Sequence, residues 1–147
     1  MQHPDFRITS SMDEYVKSKL RPIEVPKGYL SNTKEISDGM LTNVKGVNGG
    51  LGWLASTGRP DMAAPHSIIP SGYDRRSPQL ISEVNAAVKQ CHAVPITITI
   101  WPIPFAELRW TTFTDSSFDT GERQRHQQGW LVCVLQTSIS TKNGRRR

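Results

Sequence analysis

The sequence is poor in cysteine and has no long apolar run. Its two cysteines, Cys91 and Cys133, do not form a C-x-x-C pair, and the four histidines are scattered. This excludes a disulfide scaffold and a cysteine-rich zinc site. Cys133 lies in the apolar run at residues 131–135 and is predicted to be a buried, reduced thiol. No stretch approaches the ~20 apolar residues that span a bilayer, so we expect a soluble globular protein with no membrane span.

The N-terminal residues lack two kinds of targeting pattern. They do not show the basic and then apolar order of a secretory signal, and they are not the arginine-rich, serine-rich stretch of a transit peptide. We therefore expect a cytoplasmic or nuclear protein, with an organelle left open. The 147 residues suffice for one domain or two small half-domains with a real core.

The excess positive charge is concentrated at the C-terminal end. The net charge is +5, but residues 1–141 carry 14 basic and 13 acidic groups and are nearly neutral. The tail is a candidate nucleic-acid-binding segment, since clustered cations hold phosphate without reading sequence. A solvated chain end is the alternative. The four tail residues concerned are Lys142, Arg145, Arg146 and Arg147.

Helical patterns dominate the N-terminal two-thirds. Ser11 and Glu14 have the spacing of a capping box, and Pro22 ends the helix that follows. Asn32 and Glu35 predict the start of a second helix. The second helix carries an apolar stripe of Ile36, Met40, Val44, Val47, Leu51 and Leu54.

Five glycines interrupt the second helical pattern, at positions 39, 46, 49, 50 and 52. We expect them to permit close backbone packing or a break in the helix. A phosphate-binding loop is the alternative, but it requires a preceding strand and a Gly-Lys-Ser/Thr sequence, and residues 49–53 have neither.

A third helix is predicted from Ser77 and Pro78 to about Cys91. Pro65 and Pro70 restrict any helix before it to a short piece. The face predicted to meet the core consists of Leu80, Ile81, Val84, Ala87, Val88 and Cys91. After this helix the period changes to two, which predicts strands at residues 96–100, 108–115 and 129–135, the last two as an antiparallel pair.

Two stretches are more specific than this patterning. Residues 49–61 read Gly-Gly-Leu-Gly-Trp-Leu-Ala-Ser-Thr-Gly-Arg-Pro-Asp, and residues 113–118 read Phe-Thr-Asp-Ser-Ser-Phe, followed by Gly-Trp-Leu-Val at 129–132. In this order and separation they resemble the copia-type retrotransposon polyprotein, in which the first closes the reverse transcriptase and the second opens the ribonuclease H region. The resemblance covers most of the chain.

The resemblance implies an α+β fold, with a helical thumb/connection-like N-terminal part followed by the first antiparallel strands of an incomplete ribonuclease-H-like sheet. It divides the chain into a reverse-transcriptase thumb/connection-like helical region at 1–93, truncated ribonuclease-H-like strands at 94–141 and a basic tail at 142–147. The chain departs from the family at Gly58, where threonine is usual, and at Pro65 and Pro70, where the family continues a helix.

Asp115 matches the first carboxylate of the family's ribonuclease H site, which makes it the ancestral metal-ligand position. Two-metal hydrolysis needs several carboxylates around cations ~3.5–4 Å apart. Only Asp119 and Glu122 follow Asp115 as acidic residues. The site is therefore expected to be incomplete, with no cofactor required by the chain as it stands and Mg²⁺ or Mn²⁺ belonging to the intact family enzyme. A solvent-facing acid at a strand end is the alternative.

Trp53, Arg59, Pro60 and Asp61 belong to the first specific stretch and are expected to form a structural motif, in which Asp61 caps a helix or Arg59 forms an ion pair. Direct substrate contact is the alternative. The palm carboxylates of the family, within Tyr-Val-Asp-Asp, are absent from the sequence.

The family combines RNA-directed DNA polymerase and ribonuclease H activity, but this chain is expected to be a non-catalytic fragment whose ancestral role is gripping an RNA–DNA or DNA duplex. An active nuclease is a further hypothesis. The main alternative is a domesticated structural or protein-interaction subunit of a larger complex. Exposed tryptophan or isoleucine would favour that subunit, whereas a basic groove would favour the duplex. The groove would consist of Lys17, Lys19, Lys45 and Lys89.

Overall fold

The computed structural model of the chain describes residues 1–118 and 126–136. The chain forms two compact units, Met1–Ile100 and Trp101–Arg147. The mixed α+β class is confirmed, since a helical N-terminal region precedes small antiparallel two-stranded sheets. The predicted tail at residues 142–147 lies outside the described residues.

The first unit is mainly helical. Its α-helices are α1 (Asp13–Lys19), α2 (Tyr29–Asn32), α3 (Asp38–Thr57), α4 (Ala63–Ile68) and α5 (Gln79–Ala93). Two 3-10 segments, Pro60–Met62 and Ile69–Arg75, flank α4, as expected from the prolines that limit regular helix there. Strands β1 (Ile8–Ser11) and β2 (Thr97–Ile100) pair antiparallel, with Ile8 opposite Ile100.

Two helix starts differ from the prediction. Ser11 does not form a capping box with Glu14, because its hydroxyl oxygen accepts from the N–H of Asp13 at 3.2 Å and α1 has no side-chain cap. The long helix α3 begins later than predicted, because the hydroxyl of Ser37 caps it by accepting from the N–H of Met40 at 3.2 Å. The five glycines lie inside α3 and do not break it.

The hydrophobic core of the first unit lies mainly between α3 and α5, with contributions from α1 and the 3-10 segments. The predicted core face of α5 is confirmed in full. The buried apolar residues are Val16, Leu20, Ile23, Ile36, Leu41, Val44, Leu51, Leu54, Met62, Ile69, Leu80, Ile81, Val84, Ala87, Val88 and Cys91. Burying this set supplies the main driving force for folding of the unit.

The second unit contains a 3-10 turn, Phe105–Glu107, and two long strands, β3 (Leu108–Phe118) and β4 (His126–Gln136). The strands form the predicted antiparallel pair, and their register runs from Leu108 opposite Gln136 to Phe118 opposite His126. β2 pairs with β1 rather than joining this pair. Cys133 is partly exposed, not buried as expected, because a two-stranded sheet has no covering layer in the described part of this unit.

Candidate functional site

Asp115 lies on β3, where its backbone is in register with Gly129 of β4. The position opposite therefore supplies no side chain that could share a cation. Among residues 1–118 and 126–136, no group of three or more His, Cys, Asp and Glu residues is arranged to hold a metal ion. Asp119 and Glu122 lie outside the described residues, as do the tail residues Lys142, Arg145, Arg146 and Arg147. The assignments of Asp115 to metal and of the tail to nucleic acid stay predictions.

The Arg-Pro-Asp motif lies where α3 ends. Gly58 closes the helix with a hydrogen bond from its N–H to the carbonyl oxygen of Leu54, at 3.0 Å. A β-carbon on Gly58 would lie 2.8 Å from Cγ of Met12, so the glycine allows Met12 to approach the helix end. Close packing of Met12 is thus one physical reason for glycine at position 58.

Arg59 is fully buried, with a relative exposure of 0%, and its guanidinium group is bound on several sides. Nε donates to Oδ1 of Asp61 at 2.9 Å and Nη2 donates to Oδ2 at 2.8 Å. Nη1 donates to the carbonyl oxygen of Cys91 at 3.1 Å. Pro60 stands between the paired residues at the start of the 3-10 segment, where its restricted φ favours the turn. The bidentate pair offsets the cost of burying the cation.

The bond to Cys91 joins two helix ends. The carbonyl of Cys91 is in the last turn of α5, where carbonyl groups lack intrahelical partners and the helix dipole favours a cation. Arg59 therefore fastens the C-terminal end of α3 to the C-terminal end of α5. The Arg-Pro-Asp motif thus contributes to the packing of α3 against α5.

The ionisation of the cluster follows from its contacts. The hydrogen bonds from Arg59 lower the pKa of Asp61, and the same bonds raise the pKa of Arg59. Burial raises the pKa of the Cys91 thiol despite the nearby Arg59 cation. Cys91 is 2% exposed and therefore remains a protonated, inaccessible thiol at neutral pH. The cluster thus holds an ion pair between the buried Arg59 and the partly exposed Asp61, and Cys91 is not an activated nucleophile.

Trp53, the remaining member of the motif, links α3 to α1. Its ring packs against Tyr15 with centroids 4.4 Å apart and planes tilted by 46°. Trp53 keeps 45% of its surface exposed, so the pair covers the core while leaving one aromatic face in solvent.

A second polar cluster was not expected from the sequence. Asn48 is 3% exposed, and its Nδ2 donates to the carbonyl oxygen of His66 at 3.2 Å. His66 Nδ1 lies 3.0 Å from the carbonyl oxygen of Asn48 and must carry the proton in this contact. Gly52, one turn along α3, makes room for the ring, since a β-carbon there would lie 2.5 Å from His66 Cε1. The one sequence signal for this cluster was the position of a polar residue, Asn48, beside the apolar stripe of α3.

Two further side chains fix the chain between α1 and α2. Asn85 Oδ1 accepts from the N–H of Ile23 at 2.7 Å, and Asn85 Nδ2 donates to the carbonyl oxygen of the same residue at 2.9 Å. His92 Nε2 lies 3.0 Å from the carbonyl oxygen of Leu20. These contacts join residues 62 and 72 positions apart, which local sequence patterns do not reveal.

The cations proposed for a basic groove are all exposed: Lys17, Lys19, Lys45 and Lys89. They are distributed over α1, α3 and α5, and the Nζ of Lys45 lies 5.4 Å from the centroid of the Tyr73 ring. Exposure makes these side chains available to phosphate groups.

Comparison with models of known protein families, with curated proteins and with solved structures finds no match to the chain. No described helix combines the length and apolar character needed to cross a membrane.

Proposed function

We propose that the chain is a non-catalytic part of the reverse transcriptase/ribonuclease H region of a copia-type retrotransposon polyprotein. The buried Arg59–Asp61 pair carries this proposal. One of the two specific stretches of the resemblance ends in this pair, in which the fully buried Arg59 bonds to Asp61 and to the Cys91 carbonyl and so supports packing between α3 and α5. The chain would then retain the architecture that supports template–primer binding while the carboxylates of the chemistry lie elsewhere.

The partner in this proposal is an RNA–DNA or DNA duplex, held by salt-sensitive contacts. The exposed lysines of α1 and α5 and the basic tail would supply the cations. Mg²⁺ or Mn²⁺ would be required by the intact family enzyme and not for this binding. Asp115 would then be a residue inherited from an ancestral metal site.

The test uses the full chain and a fluorescently labelled RNA–DNA hybrid. We expect binding that weakens steeply as salt rises, and a further loss of several-fold when Lys17 and Lys89 are both changed to glutamate. Lys34→Glu, which changes another exposed lysine, is the matched control. Absence of hybrid binding at low salt would contradict the proposed role.

The same mixture tests the non-catalytic assignment. We expect the hybrid to remain intact with Mg²⁺ or Mn²⁺, for both the unchanged chain and the Asp115→Asn variant. Metal-dependent cleavage that disappears in Asp115→Asn would show a working nuclease and overturn the assignment.

A second candidate function, a structural or protein-interaction subunit, is favoured by exposed aromatic residues in the second unit. Phe105 is 90% exposed, Trp110 is 70% exposed and Phe113 is 56% exposed. A lone two-stranded ribbon is marginal in water, and large exposed apolar groups favour contact with another protein. In this case the chain from native extracts would elute as part of a larger complex, and the Trp110→Lys variant would elute at the size of the isolated chain. Elution of the unchanged chain at its free size would exclude this candidate.

A further inference from the structure

A surface cleft lies beside the extended segment that joins α1 to α2, at residues 21–26, which we name the connector. The cleft has a volume of about 430 Å³ and separates the connector from the exposed side of α3. Arg21, Pro22, Ile23 and Glu24 form one wall, and Thr42, Asn43, Gly46 and Val47 form the other.

Buried and exposed side chains alternate along the connector as in a β-strand, although no strand of the described residues pairs with it. The side chains of Ile23 and Val25 are turned towards the core, whereas Pro22, Glu24 and Pro26 are exposed. On one edge, the N–H and carbonyl groups of Ile23 are both bound by the side-chain amide of Asn85. The amide of Asn85 thus takes the place of a neighbouring strand.

Successive residues of an extended chain direct their backbone groups to opposite edges. Since the N–H and carbonyl groups of Ile23 are bound by Asn85 of α5, alternation would direct those of Glu24 to the opposite edge, towards the cleft that Glu24 lines. Neither group has a hydrogen-bond partner among the described residues. An unpaired donor and acceptor on one residue are the groups with which an antiparallel strand forms a hydrogen-bonded pair.

The cleft also has room and charge for a particular kind of occupant. Gly46 forms part of its wall, and a β-carbon on Gly46 would meet no atom within 4 Å. The cleft is lined by the exposed Arg21, which has no ion-pair partner in the described part of the chain, and by the exposed Glu24. A carboxylate on the occupant would complement this cation.

We propose that this cleft binds an extended peptide segment of another protein, which pairs with the backbone of Glu24, lies across Gly46 and places an acidic side chain at Arg21. The binding mode is addition of a strand to an exposed edge, in which backbone bonds supply affinity and a side-chain contact supplies selectivity. The proposal is independent of duplex binding, because it involves a different surface and a different partner.

The probe is a labelled, end-capped peptide of eight residues in which valine and threonine alternate around one aspartate. Its binding to the full chain is measured by fluorescence anisotropy. Gly46→Leu is expected to fill the cleft and to reduce binding at least tenfold, without harm to the helix, because leucine is a better helix former than glycine. Gly39→Leu makes the same change at an open position of α3 outside the cleft and should leave binding unchanged.

A pair of changes at Glu24 isolates the backbone contribution. Glu24→Pro removes the free N–H and should weaken peptide binding about tenfold, the effect of one lost hydrogen bond. Glu24→Ala keeps the N–H and should bind the peptide at least as well as the unchanged chain does. Equal binding by the alanine and proline variants would overturn strand addition.

A second peptide, in which lysine replaces the aspartate, tests the contribution of the acidic side chain. The lysine peptide should bind several-fold more weakly, and Arg21→Ala should remove or reverse this preference, since Glu24 then supplies the charge of the cleft. The proposal is overturned if the aspartate peptide does not bind the unchanged chain, or if Gly46→Leu binds it normally.

Discussion

At the residue scale, the stability of the first unit depends on polar side chains placed where solvent does not reach. Arg59 carries a full charge at 0% exposure, and among the described residues its guanidinium is bound by Asp61 and by the Cys91 carbonyl. A buried ion pair adds little net stability over a well-packed apolar pair, but loss of one partner leaves an uncompensated charge. The two members of the pair are therefore unusually sensitive to substitution.

The Asp61→Asn variant tests this sensitivity. Because Asn cannot neutralise the buried Arg59, we expect the free energy of unfolding at pH 7 to fall by ~3 kcal/mol, measured by urea denaturation. Asp5→Asn is the control, since Asp5 pairs with Arg7 on the surface at 3.4 Å with 54% of its side chain exposed. The control should change stability by less than about 1 kcal/mol.

The pH dependence follows from the same pair. Arg59 lowers the pKa of Asp61 below its ordinary value of 3.8, so the ionised carboxylate contributes stability that is present above pH 3.8. That contribution is lost as the pH falls through the lowered pKa, where the folded state takes up the proton. The stability difference between the unchanged chain and Asp61→Asn should therefore narrow on acidification below pH 3.8. A difference that stays constant down to pH 2 would contradict the assignment.

Two glycines of α3 give a matched test of packing. Gly52→Ala forces a β-carbon against the His66 ring, which is held by Asn48, and should cost about 1–3 kcal/mol. Gly49→Ala meets nothing within 4 Å and should stabilise the chain by up to ~1 kcal/mol, through higher helix propensity. Thermal unfolding of the two variants should shift in opposite directions.

At the element scale, segments with a strong local pattern were predicted well. The six residues predicted for the core face of α5 are all buried, because their three- and four-residue spacing leaves one arrangement for a helix packed on a core. The start of α3 was missed because Asn32 and Ser37 are both good caps, and tertiary contacts decide between them. β1 was missed because its partner strand lies about 90 positions further along the chain.

The contact between Asn85 and Ile23 shows how one side chain holds an irregular element. Asn85→Ala removes two hydrogen bonds and leaves the N–H of the buried Ile23 without a partner, so we expect a loss of about 2 kcal/mol. Asn43→Ala, on the exposed side of α3, should be neutral or slightly stabilising. Amide hydrogen exchange should show faster exchange at Ile23 in the Asn85 variant only.

At the scale of the whole molecule, the chain divides into two compact units. All of the buried apolar residues of the core cluster belong to Met1–Ile100. A chain ending at Ile100 should therefore retain the helical circular dichroism and the cooperative unfolding transition of the first unit. Loss of both in this shortened chain would show that the units depend on each other.

The candidate site was less predictable than the helices. The resemblance of residues 49–61 singled out Arg59 and Asp61, and their closeness in sequence made an ion pair at Arg59 easy to propose. It did not find the Cys91 carbonyl, Asn85 or His92, since these contacts arise only when distant segments pack together. The metal-ligand role of Asp115 stays a prediction, and the backbone of Asp115 is in register with that of Gly129.

The pairing of β1 with β2 also sets an order of events during protein synthesis. Ile8 is made early and must wait for Ile100, its partner, to leave the ribosome. At a synthesis rate of ~5–20 residues per second, this leaves the N-terminal segment unpaired for several seconds. The helices α1 to α4 are synthesised during that interval, and α5 and β2 follow at its end. Strand β1 therefore gains its pairing partner only after all five of these helices have been made.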